Sequence, residues 1–538
     1  MGIFERTAKL LRFDESSERF ELKEKEQGIP NPGTRWTDAA ARKTGFPEKI
    51  KSDISKNEKL FRSLFSADVN KDLIFRRFST GAGTPALLIY MNGMARDEVI
   101  ARFIIDPMMR AKDDGGGDPK PILETIIRIP ESTTETETGK IVKAILSGKT
   151  ALMTDGFRSC MILETRGYEK RPVTQAENEK IVRGPQEGFS ESMRTNITLI
   201  RRIIRTNDLV AEYSSAGGEN GTDLAIVYRD GVTAPELIVE IKKRLAAIST
   251  DTLVCAGVIE QMIEDSAFSP LPQTLATERP DRTASFLMHG AAAVISEGSP
   301  YVLVMPATLS ALLGSPEDIY LRRPLGTVIR VVRYVGAFAS IFLPGYFIAL
   351  AMYHQGLLST EVLSTVIKSR EMVFEPLPYE MLLLLFIFQL IREAGMRVPS
   401  SVGQAIGVIG GLILGQAAVA ANLASTVVLI IVAISGLGNL CIPDYSTQVA
   451  ASYFRFAFVI AAWMGGLLGL CSALIIAVGY TASLKSFGVP FLSPFAPKTG
   501  RKRPFILRGK IENHHRGEDY LNTEADKTVR TGRSGRNR

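Results

Sequence analysis

The sequence predicts an α+β/α-helical membrane protein: a soluble N-terminal region of two small α/β subdomains, then a polytopic helical transmembrane domain of about 4–6 apolar segments. Three observations carry that reading. From Val398 to Pro443, 46 residues pass without an Asp, Glu, Lys or Arg, and from Phe456 to Leu484 another 29 do; a bilayer-spanning helix needs about 20 apolar residues. Before residue 300 the chain instead alternates short apolar runs, turn signals and helical spacing, as globular domains do. Basic charge gathers beyond the last apolar run. Lys498 to Arg538 holds twelve Lys/Arg and five Asp/Glu, a net +7 that equals the charge of the whole 538-residue chain.

The soluble elements follow in order. Residues 1–50 form a polar extension, with "QGIPNPGTRW" as a linker and no apolar core of a secretory signal. A first subdomain is expected over 51–165. In it "LIFRRFS" and "PALLIYMNGM" read as strands meeting turns, "RDEVIARFIIDPMMR" as a helix, "ETGKIVKAILSGK" as a second helix, and "TALMTDG" and "CMILETRG" as two more strands. The order recurs over 166–282, where "TDLAIVYRDG" is a strand and turn and "APELIVEIKKRLAAI" a helix with Leu237, Ile241 and Leu245 in register. Residues 283–323 are expected to link this half to the membrane domain (324–497), which the basic tail (498–538) follows.

Within the membrane domain, residues 334–353 make a good span, the run 398–443 makes two split at "AANLAS", and 456–484 makes one. Residues 378–391 are apolar but short, which predicts a tilted or re-entrant piece. Arg322, Arg323, Arg330 and Arg333 precede the first span, and Lys498, Arg501, Lys502 and Arg503 follow the last. Positive flanks belong on the cytoplasmic side, so the number of crossings should be even, and 378–391 is the segment expected not to cross. The competing sixth span, 291–313, is interrupted by Glu297, Gly298 and Pro300, which read better as a turn between strands.

Composition excludes much else. Cys160, Cys255, Cys441 and Cys471 are scattered without a CxxC or Cys/His spacing, so neither a disulfide framework nor a zinc site is indicated. No phosphate loop, nucleophile elbow or HExxH appears, and no enzyme, metal or cofactor is expected. "TERPDR" sets Glu278 and Asp281 beside Arg279 and Arg282; with counter-ions at hand and no third ligand, it reads as a structural joint. "SFGVPFLSPFAP" has three prolines and is not helical. Its Phe487, Phe491 and Phe495 are expected to anchor it along the membrane or under the soluble half.

Five blocks resemble one family in order and without large gaps. They are "IVRGPQEGFSESMRTNITLIRRIIR" (181–205), "SPLPQTLATERPDR" (269–282), "GSPEDIYLR" (314–322), "IREAGMRVPSSVGQAIGVIGGLILGQAAV" (391–419) and "SLKSFGVPFLSPFAP" (483–497). The chain from about Lys56 to Pro497 is similar to the A subunits of GerA-type spore germinant receptors. The resemblance implies an inner-membrane protein of bacterial spores, with the soluble half and tail on the core side. It implies partners too: a B-subunit nutrient sensor and a C-subunit lipoprotein. It also implies assembly as a homo-oligomer, a pentamer, forming a cation channel that nutrient opens. A related branch encoded with dipicolinate-release proteins shares the blocks, and a non-conducting scaffold or transporter-like component is the alternative. A transporter should carry an internal repeat of broken helices, and none is visible in the apolar segments.

A channel must line its path with something. On a helix at 100° per residue, Gln404, Gly411, Gly415 and Asn422 fall near one line, flanked by Gly407, Val408 and Ala418. Such a stripe suits close helix packing or the wall of a narrow aqueous path. Both readings stand on the residues alone, and the resemblance favours the path. Gln389 and Glu393, one helical turn apart, are candidates for its mouth. The same charges, with Arg392 and Arg397, equally suit interfacial ion pairs between helices.

Overall fold

The computed structural model describes residues 49–112, 119–167, 175–176, 178–218, 221–250, 255–397, 415–496 and 521. Its first subdomain runs α1 (Ile54–Leu64), β1 (Leu73–Ser79), β2 (Pro85–Met91), a helical passage from Asp97 to Arg110 with a π turn at Ala101–Ile105, a second π turn at Ile122–Ile126, β3 (Ser132–Glu135), α2 (Thr138–Leu146), β4 (Thr150–Thr154) and β5 (Cys160–Leu163). The strands make one antiparallel sheet in the order β1-β2-β4-β5-β3. Composition explains that order. The interior strands are the apolar runs "PALLIYM", "TALMT" and "CMIL", buried along nearly their whole length. The edges are "LIFRRFS" and "STTE", and Arg76 and Arg77 project from β1 into solvent, where charge deters pairing with another sheet. Alternation along β2 supplies both faces: Leu87, Ile89 and Met91 pack with α1 and α2, while Ala86, Leu88 and Tyr90 pack under the helical passage.

The second subdomain repeats this path element for element. It runs α3 (Met193–Ile203), β6 (Leu209–Ala216), β7 (Thr222–Arg229), α4 (Pro235–Ala246), α5 (Ala256–Ile263), β8 (Leu275–Thr277), α6 (Pro280–His289), β9 (Ala292–Ser296) and β10 (Val302–Met305), with the sheet order β6-β7-β9-β10-β8. Helices α3 and α6 cover one face, and α4 and α5 the other through Leu237, Ile241, Leu245, Ile259 and Ile263. The expected linker at 283–323 is therefore corrected. Strands β9 and β10, joined by a turn with Gly298 at φ 79°, are interior strands of this sheet, and every residue in both is buried. Their uninterrupted apolar sequence reflects burial on both faces. The two subdomains meet at a buried ion pair, Arg201 Nε to Asp72 Oδ2 at 2.5 Å, to which Asn70 and the Tyr213 hydroxyl add hydrogen bonds.

The membrane half contains α7 (Arg323–Tyr353), α8 (Thr360–Arg370), α9 (Leu377–Arg397), a helical turn at 415–420, α10 (Thr426–Leu440) and α11 (Tyr445–Ser483). Helices α7 and α11, of 31 and 39 residues, are long and apolar enough to cross a membrane. Helix α11 is in fact two antiparallel arms. Gly465 and Gly466 leave helical geometry, Gly466 at φ 57°. A Cβ at Gly469 would lie 2.1 Å from the Ala461 carbonyl oxygen, a contact that eight residues of straight helix cannot make. The expected single span at 456–484 is thus a hairpin, with arms of roughly 20 residues or about 30 Å.

The far tip of that hairpin abuts the end of α7, where the Tyr353 hydroxyl donates to the Trp463 carbonyl at 2.5 Å. Helix α9 runs the full length of the bundle. Tyr379 at its start stacks edge-on against Trp463, and Arg392 near its end lies over the ring of Tyr445, where α11 begins. The apolar segment expected over 378–391 belongs to a longer helix, which extends through the charged residues Arg392 and Glu393 to Arg397.

Beyond α11 the chain returns to the second sheet. Residues 485–490 form a small hairpin, β11 (Lys485–Ser486) with β12 (Val489–Pro490). Ser486 Oγ donates to the Gln273 carbonyl (2.6 Å) and accepts from Ala307 N (2.9 Å), while Phe487 N donates to Asp265 Oδ2 (2.7 Å) and Leu309 N to the Phe491 carbonyl (2.8 Å). Phe487 and Phe491, both fully buried, enter opposite faces of the second subdomain. These residues belong to the soluble core rather than to the membrane domain that was expected to contain them. Phe495 stays 48% exposed.

Candidate functional site

Of the stripe expected to line a path, Gln404, Gly407, Val408 and Gly411 lie outside the described residues. Gly415 and Ala418 lie on the helical turn before α10. A Cβ at Gly415 would make ordinary contact with Leu429 at 3.5 Å, and Ala418 packs into the bundle core. Asn422 is not on the helix. It sits at φ 55° in the turn after it, where the Leu423 and Ala424 amides reach back to the Ala418 carbonyl. Asparagine is one of the few side-chain-bearing residues that tolerates this left-handed cap, which corrects its placement on the stripe. Gln389 and Glu393 lie on α9, and the Gln389 Oε1 atom is buried without a partner among the described residues.

What the structure assembles instead is a polar seam inside the bundle. At the near end, beside the soluble half, Arg455 on α11 is completely buried. Its Nη1 donates to Ser435 Oγ (3.2 Å) and its Nη2 to Ser452 Oγ (3.4 Å). Ser435 in turn donates to the Ser340 carbonyl (2.7 Å). With the Asn439 amide oriented to donate to the Gln448 carbonyl (3.2 Å), its oxygen accepts from Ser452 Oγ (3.3 Å) and Arg392 Nη1 (2.8 Å). Small residues allow the approach: a Cβ on Gly438 would meet the Gly336 carbonyl oxygen at 2.4 Å, so α7 and α10 touch backbone to backbone. At the far end, buried Glu380 on α9 pairs with Arg370 (3.2 Å) and accepts from the Ser425 amide (2.6 Å) and hydroxyl (2.7 Å) at the start of α10.

A third polar group joins the halves. Asp318, fully buried, takes Arg333 through both guanidinium nitrogens (2.8 and 3.0 Å) and Arg330 at 2.9 Å, which ties the first turns of α7 to the segment beneath the second sheet. The "TERPDR" residues act as the expected joint. Arg279 pairs with Asp281 (2.9 Å), which also accepts from the Tyr320 hydroxyl (2.8 Å). Arg282 pairs with Glu179 and donates to the Ala311 and Gly314 carbonyls. Burial and the Asp281 charge push the Tyr320 phenol up, so it stays a neutral donor. Beside the clamp formed by Phe487, burial raises the Glu264 carboxyl to about 7, with Glu260 and Asp265 adding to the shift.

Sequence reading missed Arg455, the Gly465–Gly466 tip and the partners of Asp318. Arg455 was legible as a lone cation one residue before the second charge-free run, but counting runs places it at a boundary and not inside a helix.

Residues 59–519 match the family described as Bacillus/Clostridium GerA spore germination protein. The chain is 34% identical over 431 residues to spore germination protein KA of Bacillus subtilis (strain 168), which covers 80% of this chain and 79% of that one. It is 36% identical over 355 residues to spore germination protein A1 of the same strain, covering 66% and 74%. It is 33% identical over 426 residues to that strain's uncharacterized membrane protein YfkQ, covering 79% and 83%. Among solved structures, the N-terminal domain of the A subunit of the Bacillus megaterium spore germinant receptor GerK3 is 26% identical, with a TM-score of 0.40, covering 49% of this chain and 99% of that one.

Proposed function

Since the chain belongs to the GerA spore germination protein family and so has a role in spore germination, we propose that it is the A subunit of a germinant receptor, an oligomeric, nutrient-gated cation channel of the spore inner membrane. In this reading a B subunit senses nutrient, a C-subunit lipoprotein completes the complex, and copies of this chain, five by resemblance, surround the path. The soluble half and the basic tail face the spore core, and the membrane half crosses an even number of times.

One observation carries the mechanism: both ends of the membrane bundle are fastened to the second soluble sheet. Asp318 holds the entry of α7, and Phe487 and Phe491 hold the exit of α11. A displacement of that subdomain by a partner must therefore pull on the first and last helices together. Because packed interfaces are bistable rather than freely deformable, such a pull can switch the helices that bound a path. Reconstitution of the purified chain with its partners in liposomes, with monovalent-cation flux and subunit stoichiometry measured, tests the proposal. Nutrient-dependent flux is the expected result. An assembled complex that never conducts contradicts it and favours a scaffold that only couples soluble half to partners, a reading that the packing of Gly415 toward Leu429 supports.

A further inference from the structure

We propose that Arg392 and Arg455 form a binding site for one small monovalent anion inside the near end of the bundle. Arg455 has no exposed surface, and its contacts are neutral: the hydroxyls of Ser435 and Ser452. Arg392 reaches the same group from α9, through the Asn439 oxygen that also accepts from Ser452. Two guanidinium groups are thus bridged by an amide and a hydroxyl. The charge of Glu393, the chain neighbour of Arg392, acts on Arg392, and Arg455 has only the neutral hydroxyl contacts. Their hydrogen-bonding capacity is also unfinished. Arg455 Nε and Arg392 Nη2 are both buried without an acceptor. The residues from Val398 to Pro443, which include the stretch between α9 and α10, contain no Asp or Glu that could supply the charge.

Burying an unpaired cation is strongly unfavourable, and a second beside it adds repulsion. The low-dielectric surroundings that make this costly also make a single negative charge between the two strongly favourable. The free N–H groups call for an acceptor of one charge and small volume, chloride or a carboxylate no larger than formate. A bound anion would tie α9 to α10 and α11 where the bundle meets the soluble half, and its loss would loosen that end.

The test is thermal unfolding of the purified full chain in a neutral detergent, at constant potassium concentration, with gluconate exchanged for chloride or for formate. Gluconate is too bulky for the site. The expected result is a saturable rise of about 2–3 °C with chloride or formate, and loss of that response in Arg455→Met, which keeps the volume and removes the charge. Arg392→Met leaves one guanidinium and should raise the anion concentration at half-effect at least about tenfold; it also serves if Arg455→Met does not accumulate. Equal melting in all anions, or an unchanged response in either variant, overturns the site. So does a melting temperature that follows protein concentration instead of chloride, since the counter-charge would then come from another copy of the chain.

Discussion

The two soluble subdomains share one sheet order and one helix order, yet only one of them is complete in its own stretch of chain. The first draws every strand and covering helix from residues 54–163. The second needs Phe487 and Phe491, nearly two hundred residues beyond β10, to fill its two faces. The same fold has therefore been put to two mechanical uses. One copy is a self-contained body held by its ion pair at Asp72 and Arg201, and the other is built into the membrane bundle. The difference locates where movement can enter the molecule and where it must be transmitted.

The sharpest way to break the comparison is truncation. A fragment of residues 49–313 retains all ten strands of the two soluble sheets but not Phe487 and Phe491, and should unfold in two transitions, the second subdomain at the lower urea concentration. A fragment ending at 280 loses β9 and β10, two of the three interior strands of the second sheet, and should show a single transition belonging to the first subdomain. Circular dichroism during urea unfolding distinguishes them. If the shorter fragment unfolds with the same transitions as the longer, those strands are not part of the sheet.

Next in size is the clamp itself. Phe491→Ala should destabilise the second subdomain by about 3–5 kcal/mol, the usual cost of emptying a buried aromatic site. The first subdomain should be spared, a split that hydrogen exchange on the full chain resolves. Asp318→Asn leaves Arg333 buried without its charge partner, and a comparable loss of about 3–5 kcal/mol is expected at the junction. The two variants should weaken the same coupling from opposite ends of the bundle. Under the proposed channel function, nutrient-dependent cation flux normalised to assembled protein should fall in both.

The smallest effect concerns pH. The Glu264 carboxyl is raised to about 7 from an ordinary 4.5, so the folded state holds this proton more tightly than the unfolded chain does. Its contribution is full below about pH 4.5, declines as pH rises toward about 7, and is level above that. Glu264→Gln keeps the acceptor for the Gln273 amide (2.6 Å) and removes the charge. It should reduce the slope, leaving the part that the likewise raised Glu260 contributes, and raise stability at pH 8 by on the order of 1–3 kcal/mol. Thermal melts at pH 5 and pH 8 measure it, and a slope no smaller in the variant would refute the assignment.

Much of the soluble half is legible in the sequence, because its interior strands are apolar runs and its helices carry regular apolar spacing, as Leu237, Ile241 and Leu245 show. The failures have one physical root. Burial on both faces erases periodicity, so β9 and β10, legible as strands about a turn at Glu297, Gly298 and Pro300, do not read as part of the second sheet. A 29-residue apolar run likewise hides a reversal that only the backbone of Gly466 reveals. Two arms instead of one span change the parity on which the exclusion of 378–391 rests. At the candidate site, Asn422 fits the helical stripe by angle alone, and only its left-handed φ shows that the helix has already ended.

The central claim is that the second sheet is finished by the chain leaving the last membrane helix, on the same side as the soluble half. A single cross-link tests it. Gln273→Cys and Ser486→Cys, introduced with the four native cysteines replaced, should join through a short bismaleimide in intact membranes, since Ser486 Oγ lies 2.6 Å from the Gln273 carbonyl. A full-length product carrying the 273–486 linkage is the expected result. Failure to link, with position 486 labelled only from the side opposite the soluble half, would contradict the account.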